Sequence, residues 1–227
     1  MKKIAFVLNQ FSDFNFDELL KKYLRDAEVS LFNYLPNNPK DFDLVVLWNY
    51  RKIIHYPGIL DNVVIFHASD LPKGRGWATL YNLFKNKCQE YTLCGIKLNN
   101  PVDTGDIIVR ASFPILPHYT ANDLRLFDSE LSVRLASEIL SRFVGRRISG
   151  LPQVGESTYF PRRNPSDSEV DTNLSLKELI PHLRGCEDQY PAFFFNENEK
   201  YFIEIRPALK AEFPSDITIE YFDENKS

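Results

Sequence analysis

The feature that most constrains the fold is a series of short, unbroken apolar runs in the first third of the chain. They are "KIAFVL" (Lys3 to Leu8), "LVVLW" (Leu44 to Trp48) and "VVIF" (Val63 to Phe66). A strand that is apolar at every position is buried on both faces, the pattern of a parallel sheet covered from two sides. Between the runs, Phe16 to Leu24 has helical spacing, with Asp17 and Glu18 in the first turn where they complement the helix dipole. A further strand fits Val29 to Phe32. The alternation predicts an α/β fold: a Rossmann-like, mainly parallel sheet with helices on both faces.

The segment after the first strand limits the chemistry. "QFSDFNFDELL" contains no glycine, whereas a dinucleotide fingerprint needs glycines there so that the backbone can approach a pyrophosphate. No GxxxxGK[ST] occurs either. A ligand is therefore expected at the carboxyl ends of central strands, where open α/β sheets place their crevices.

Downstream, a short helix at Leu80 to Phe84 leads to strands at Tyr91 to Leu98 and Ile107 to Phe113, joined by the turn "NNPVDTGD". A long helix runs from about Asn122 to Phe143 with Thr120 as its cap. "GRRISGLPQVGES" breaks the pattern, and "YPAFFF", "KYFIEIRP" and "DITIEYF" read as short antiparallel strands after a helix near Leu174 to Leu183. The expected organisation is residues 1–150 as the main domain and 151–227 as a small mixed α+β subdomain.

A net charge of −4 gives no whole-chain support for binding a long polyanion, so no nucleic-acid partner is expected. Three cysteines without a CxxC pair leave an odd thiol, which fits a reducing, cytoplasmic setting. No apolar run approaches 18 residues, so no membrane span is expected, and "MKKIAFVLN" reads as a first strand rather than a signal peptide.

Two polar features fall at strand ends. His67 closes an apolar run, with Ser69, Asp70 and "PKGRG" behind it; Asp103 and Asp106 lie in "PVDTGD". A His and an Asp on neighbouring loops can form an orienting pair suited to proton transfer and oxyanion stabilisation. Taken singly, a histidine after a strand is more often structural, and DTGD is often only a turn.

Together, "HASDLPKGRG" (His67 to Gly76) and "VDTGDII" (Val102 to Ile108) resemble the N10-formyltetrahydrofolate-dependent formyltransferases, with their HxSxLPxxRG-type loop and later [LV]D[TA]G turn. "DLVVLWNYRKII" (Asp43 to Ile54) and "GESTYFPRRNPSDSEVD" (Gly155 to Asp171) resemble further blocks of the family in the same order. Within it, "FHASDLPKGRGWATLYNL" and "DQYPAFFFNENEKYFIEI" look most like bacterial enzymes that formylate a 4-amino-4,6-dideoxy sugar carried on a nucleotide, for O-antigen, lipopolysaccharide or other surface glycans. The initiator-tRNA enzyme adds a C-terminal β-barrel, and this chain is shorter and acidic. Two alternatives are a formyltransferase acting on another small amine, such as glycinamide ribonucleotide, and a non-catalytic binding protein of the same fold.

The resemblance implies His67 and Asp103 as catalytic residues, N10-formyltetrahydrofolate as formyl donor and no metal. Lys73, Arg75 and Gly76 would meet the nucleotide-linked amino sugar; a solvated basic turn explains the two cations equally well. Trp48, Tyr50 and Asp106 would border the folate, against a plain core reading for the aromatics and a turn-fixing one for Asp106. Arg162 and Arg163 would tie the subdomains together or contact ligand, with structural packing the favoured reading. His55, His118 and His182 have no partner pattern, and a homodimer is the family's frequent state. One departure stands out. The family carries Asn two residues before the histidine, and this chain has Ile65. Ser69, Asn82 or loop N–H groups between Lys73 and Gly76 are the candidates for the missing donor.

Overall fold

The computed structural model describes residues 1–9, 16–54, 60–143 and 145–223; His55 and the last four residues lie outside them. In chain order the elements are β1 (Lys2–Leu8), α1 (Phe16–Tyr23), β2 (Ala27–Phe32), β3 (Leu44–Trp48), β4 (Val63–His67) and β5 (Arg75–Gly76). There follow α2 (Thr79–Lys85), β6 (Glu90–Lys97), β7 (Ile107–Pro114), α3 (Ala121–Arg142) and β8 (Tyr159–Phe160). The chain closes with α4 (Leu176–Gly185), β9 (Ala192–Asn196), β10 (Glu199–Ile203) and β11 (Thr218–Tyr221).

Seven strands form one sheet in the order β11-β7-β6-β4-β3-β1-β2. β2, β1, β3 and β4 run parallel, as their two-faced apolar runs require. β6, β7 and β11 continue the sheet antiparallel; for the β6–β7 pair, the connection is a turn too short to carry a crossover. The chain beyond residue 150 is divided. Leu151 bridges Ile107 at the start of β7, β11 joins the main sheet, and β9 and β10 form a separate hairpin. The segment from Leu151 to Phe160 thus lies against the main sheet's turns.

Alternation along the strands separates two faces. Ile4, Phe6, Leu8, Val46, Val64 and Phe66 share one cluster with Phe16 of α1, Leu80 and Phe84 of α2, and Leu124, Leu131 and Leu135 of α3. Ala5, Val7, Val45, Leu47 and Val63 face the other way and meet Phe42, Tyr50, Ile54 and Leu98. The sheet with its packed helices is the expected α/β, Rossmann-like fold.

α3 is stopped and started by local chemistry. Thr120 Oγ1 accepts from Asp123 N–H, and the Asp123 carboxylate accepts from Thr120 N–H at 2.8 Å, a reciprocal cap. One residue on its buried stripe is not apolar. Asp128 accepts from the Trp48 indole at 2.8 Å and from the Tyr91 hydroxyl at 2.5 Å. Burial pushes its carboxyl above the ordinary carboxylate range, against the pull of Arg125 and of the two hydrogen bonds.

Candidate active site

His67 is the last residue of β4, with Val64 and Phe66 turned to the helical face and His67 to the opposite one. His67 is 9% exposed. Its Nδ1 lies 3.6 Å from Asp103 Oδ1, and its Nε2 lies 2.9 Å from the carbonyl oxygen of Gly74. The topology brings these together because the 68–76 loop folds back over the end of β4 while the β6–β7 turn, carrying Asp103, reaches it from the neighbouring antiparallel pair.

Asp103 is buried, adopts φ +58°, and accepts the Gly76 N–H on Oδ2 at 2.9 Å. Its carboxylate therefore touches both the histidine and the loop. Gly76 sits at φ +95°, and a Cβ there would stand 2.6 Å from the Phe160 carbonyl oxygen. In the turn itself, a Cβ on Gly105 would stand 1.8 Å from the Lys97 carbonyl oxygen, so only glycine fits.

The segment around β8 locks the loop. β5 pairs with β8 in parallel; Gly74 N–H donates to Thr158 Oγ1 at 2.8 Å and Arg75 N–H to the Thr158 carbonyl at 2.9 Å. Arg163 is buried beneath this segment, its guanidinium 3.9 Å from the Tyr81 ring centre and donating to Ser168 Oγ at 2.7 Å. It ties α2 to the chain before α4. Arg162 instead lies over the half-exposed Trp77.

Other expected site residues fall differently. Ser69 is buried, and its hydroxyl has no hydrogen-bond partner among the described residues. Its Cβ stands 3.1 Å from where a Gly74 Cβ would lie, so it borders the carbonyl that meets His67. Asn82 is no free donor: its amide gives 2.9 Å and 3.5 Å hydrogen bonds to the Ala78 and Trp77 carbonyls. Trp48 does not face the site. It is 3% exposed on the helical face, packed on Phe16, with its indole N–H on Asp128. Tyr50 does pack on the His67 face, beside Ile54 and Ile65. Asp106 closes the β6–β7 turn through its backbone carbonyl, which accepts from Lys97 N–H at 3.0 Å. Lys73 is exposed, and Arg75 is half-buried and donates from Nε and Nη2 to Gln153. Ile65 offers no polar atom and packs between the two apolar clusters of this face.

Sequence reasoning missed Gln153 and Thr158. Their bonds reach 48 to 84 positions back along the chain, so no local pattern exposes them. Among the described residues no group of three or more His, Cys, Asp and Glu side chains is placed to hold a metal ion, and no helix is long and apolar enough to cross a membrane.

No family model matches the chain. The curated methionyl-tRNA formyltransferase of Koribacter versatilis is 30% identical over 184 residues, covering 78% of this chain and 59% of that protein. The chain spans about half the length of the curated relatives it matches, from 47% to 59%. The solved methionyl-tRNA formyltransferase from Clostridium thermocellum superposes with a TM-score of 0.72 at 21% identity, covering 97% of this chain and 100% of that one. A 4-N formyltransferase from Francisella tularensis superposes with a TM-score of 0.69 at 17% identity, covering 92% and 99%.

Proposed function

From a chain whose fold is that of the formyltransferases, we propose an enzyme that moves a formyl group from N10-formyltetrahydrofolate to the amino group of a nucleotide-linked sugar. The observation that carries the reading is His67 at the carboxyl end of a central strand, with Asp103 3.6 Å from its Nδ1 and a shaped loop on its Nε2 side. The donor supplies an activated formyl group when bound. The acceptor amine attacks its carbon, the C–N10 bond breaks, N10 takes up a proton and the amine gives one up.

The chain's own residues divide this work. His67 stabilises the oxygen charge that develops during attack and delivers the proton to the departing nitrogen. Asp103 orients the ring and receives the amine proton, directly or through one water. Ser69 supplies the hydrogen bond that position 65 cannot: its buried hydroxyl has no partner among the described residues, whereas the Asn82 amide is already engaged. Tyr50, on the same face as His67, borders the folate, and exposed Lys73 meets the nucleotide phosphates.

One observation supports a sugar acceptor: the net charge of −4 disfavours a long polyanion. A second reading, methionyl-tRNA as acceptor, is favoured by the 30% identity to the curated relative. A homodimer and service to an O-antigen or lipopolysaccharide glycan belong to the first reading.

Incubation with N10-formyltetrahydrofolate and separate acceptors decides between them. The acceptors are 4-amino sugars on UDP, dTDP, GDP or CMP, initiator methionyl-tRNA, and glycinamide ribonucleotide. Turnover with a nucleotide sugar is the expected result. Turnover only with tRNA or glycinamide ribonucleotide would replace the acceptor, and ligand binding without turnover would make this a binding protein with Ile65 as the reason.

A further inference from the structure

The Gln153 side chain joins the two loops of the site through every hydrogen-bonding position it has. Oε1 accepts from Arg75 Nε at 3.2 Å and from Arg75 Nη2 at 2.6 Å. Nε2 donates to the Asp103 carbonyl and to the Gly105 carbonyl, each at 2.9 Å. A primary amide has two lone pairs and two N–H groups, so its capacity is filled. The network also fixes the amide's orientation: turned over, it would set N–H against guanidinium and oxygen against two carbonyls.

The backbone delivers this side chain by design of the register. Leu151 exchanges both backbone hydrogen bonds with Ile107, at 2.8 and 2.9 Å, at the start of β7. Gly150 lies so close to Ile107 that a Cβ would stand 2.6 Å from its carbonyl oxygen. Gln153, two residues on, is thereby set beside the Asp103 turn.

We propose that Gln153 is a positioning residue, a clamp that fixes Asp103 relative to His67 and couples the 73–76 loop to the β6–β7 turn. Asp103 is a non-glycine residue in left-handed backbone, a conformation that persists only when surroundings hold it. Two of the groups holding it are the Gln153 N–H bonds to its own carbonyl and to that of Gly105. Arg75, in turn, is an arm of the clamp. No other common side chain reproduces the set. Glutamate keeps the Arg75 contact but places an oxygen against two carbonyls, asparagine is one methylene short, and methionine removes all four bonds.

The inference rests on the proposed formyl transfer, and the test separates the two. Wild type, Gln153→Met, Gln153→Glu and Arg75→Met are compared by kcat and KM, and by the NMR signals of the His67 ring, whose tautomer and titration need no turnover. With Gln153→Met, kcat is expected to fall up to about 100-fold with little change in the KM of either substrate. The His67 ring resonances shift with it. Gln153→Glu behaves alike, while Arg75→Met, which leaves both Nε2 donors in place, has the smaller effect. Unchanged His67 resonances in both Gln153 variants would overturn the clamp. If wild type itself transfers no formyl group, the functional reading fails, and the ring signals still decide the clamp. Should Gln153→Met not fold, Gln153→Glu, held by its ion pair to Arg75, carries the same comparison.

Discussion

His67 Nε2 stands 2.9 Å from the carbonyl oxygen of Gly74. A carbonyl only accepts, so this contact fixes a proton on Nε2, and the ring's other nitrogen is left facing the Asp103 carboxylate at 3.6 Å. The Gly74 contact holds one edge of the ring, and the carboxylate faces the other. Asp103→Asn keeps an oxygen for the Gly76 N–H but loses the charge beside Nδ1. Its kcat is expected to fall by roughly 10²–10⁴-fold, the usual worth of a general acid–base group, with the protein still folded. Steady-state kinetics beside a thermal melt check this; wild-type kcat in that variant would remove Asp103 from the reaction.

Ser69 and position 65 form a linked test. If the Ser69 hydroxyl serves the formyl oxygen, Ser69→Ala costs roughly 10²–10³-fold in kcat, the loss seen when one oxyanion donor is removed. Ile65→Asn restores an amide at the family's usual position, at a cost in stability because Ile65 packs between two apolar clusters. The double variant should recover part of the activity that Ser69→Ala loses. A Ser69→Ala enzyme with undiminished kcat would assign the donor to the loop N–H groups instead.

Gly105→Ala tests the turn without touching chemistry. Its Cβ would fall 1.8 Å from the Lys97 carbonyl oxygen, and backbone rather than a flexible side chain is in the way. Denaturant unfolding is expected to show a loss of at least ~3 kcal/mol, or no folded protein at all. A variant of near wild-type stability would show that the turn is looser than described.

Asp128 makes stability depend on pH in a definite direction. Burial raises its folded carboxyl above the unfolded value, so between the two the native state binds more protons. Its contribution to stability therefore falls as pH rises through that window and is most favourable below it. Asp128→Asn keeps an oxygen for the Trp48 indole and lets Tyr91 OH accept, so it removes the charge but not the contacts. The stability difference, variant minus wild type, is expected to grow from acid toward neutral pH in chemical denaturation. A difference independent of pH would contradict the assignment.

Much of this site is legible in the sequence, and the reasons are local. The end of β4 at His67, the glycine-marked loop and the DTGD turn all announce themselves through apolar runs and turn residues. What escapes is long-range. Trp48 looks like a ligand wall until strand parity turns it toward α3 and Asp128. The Arg75 contact with Gln153, 78 positions away, has no local signal either. The parallel half of the sheet follows from two-faced apolar runs. The antiparallel half does not, since β6 and β7 are nearly as apolar and only their short connection sets direction.

The central claim is that this chain transfers a formyl group through His67. Formation of the N-formyl sugar from N10-formyltetrahydrofolate and a nucleotide-linked 4-amino sugar, followed in parallel for wild type and His67→Asn, tests it most directly. The account expects turnover by wild type and a loss of roughly 10²–10⁴-fold in the variant. Equal rates in the two proteins would contradict it.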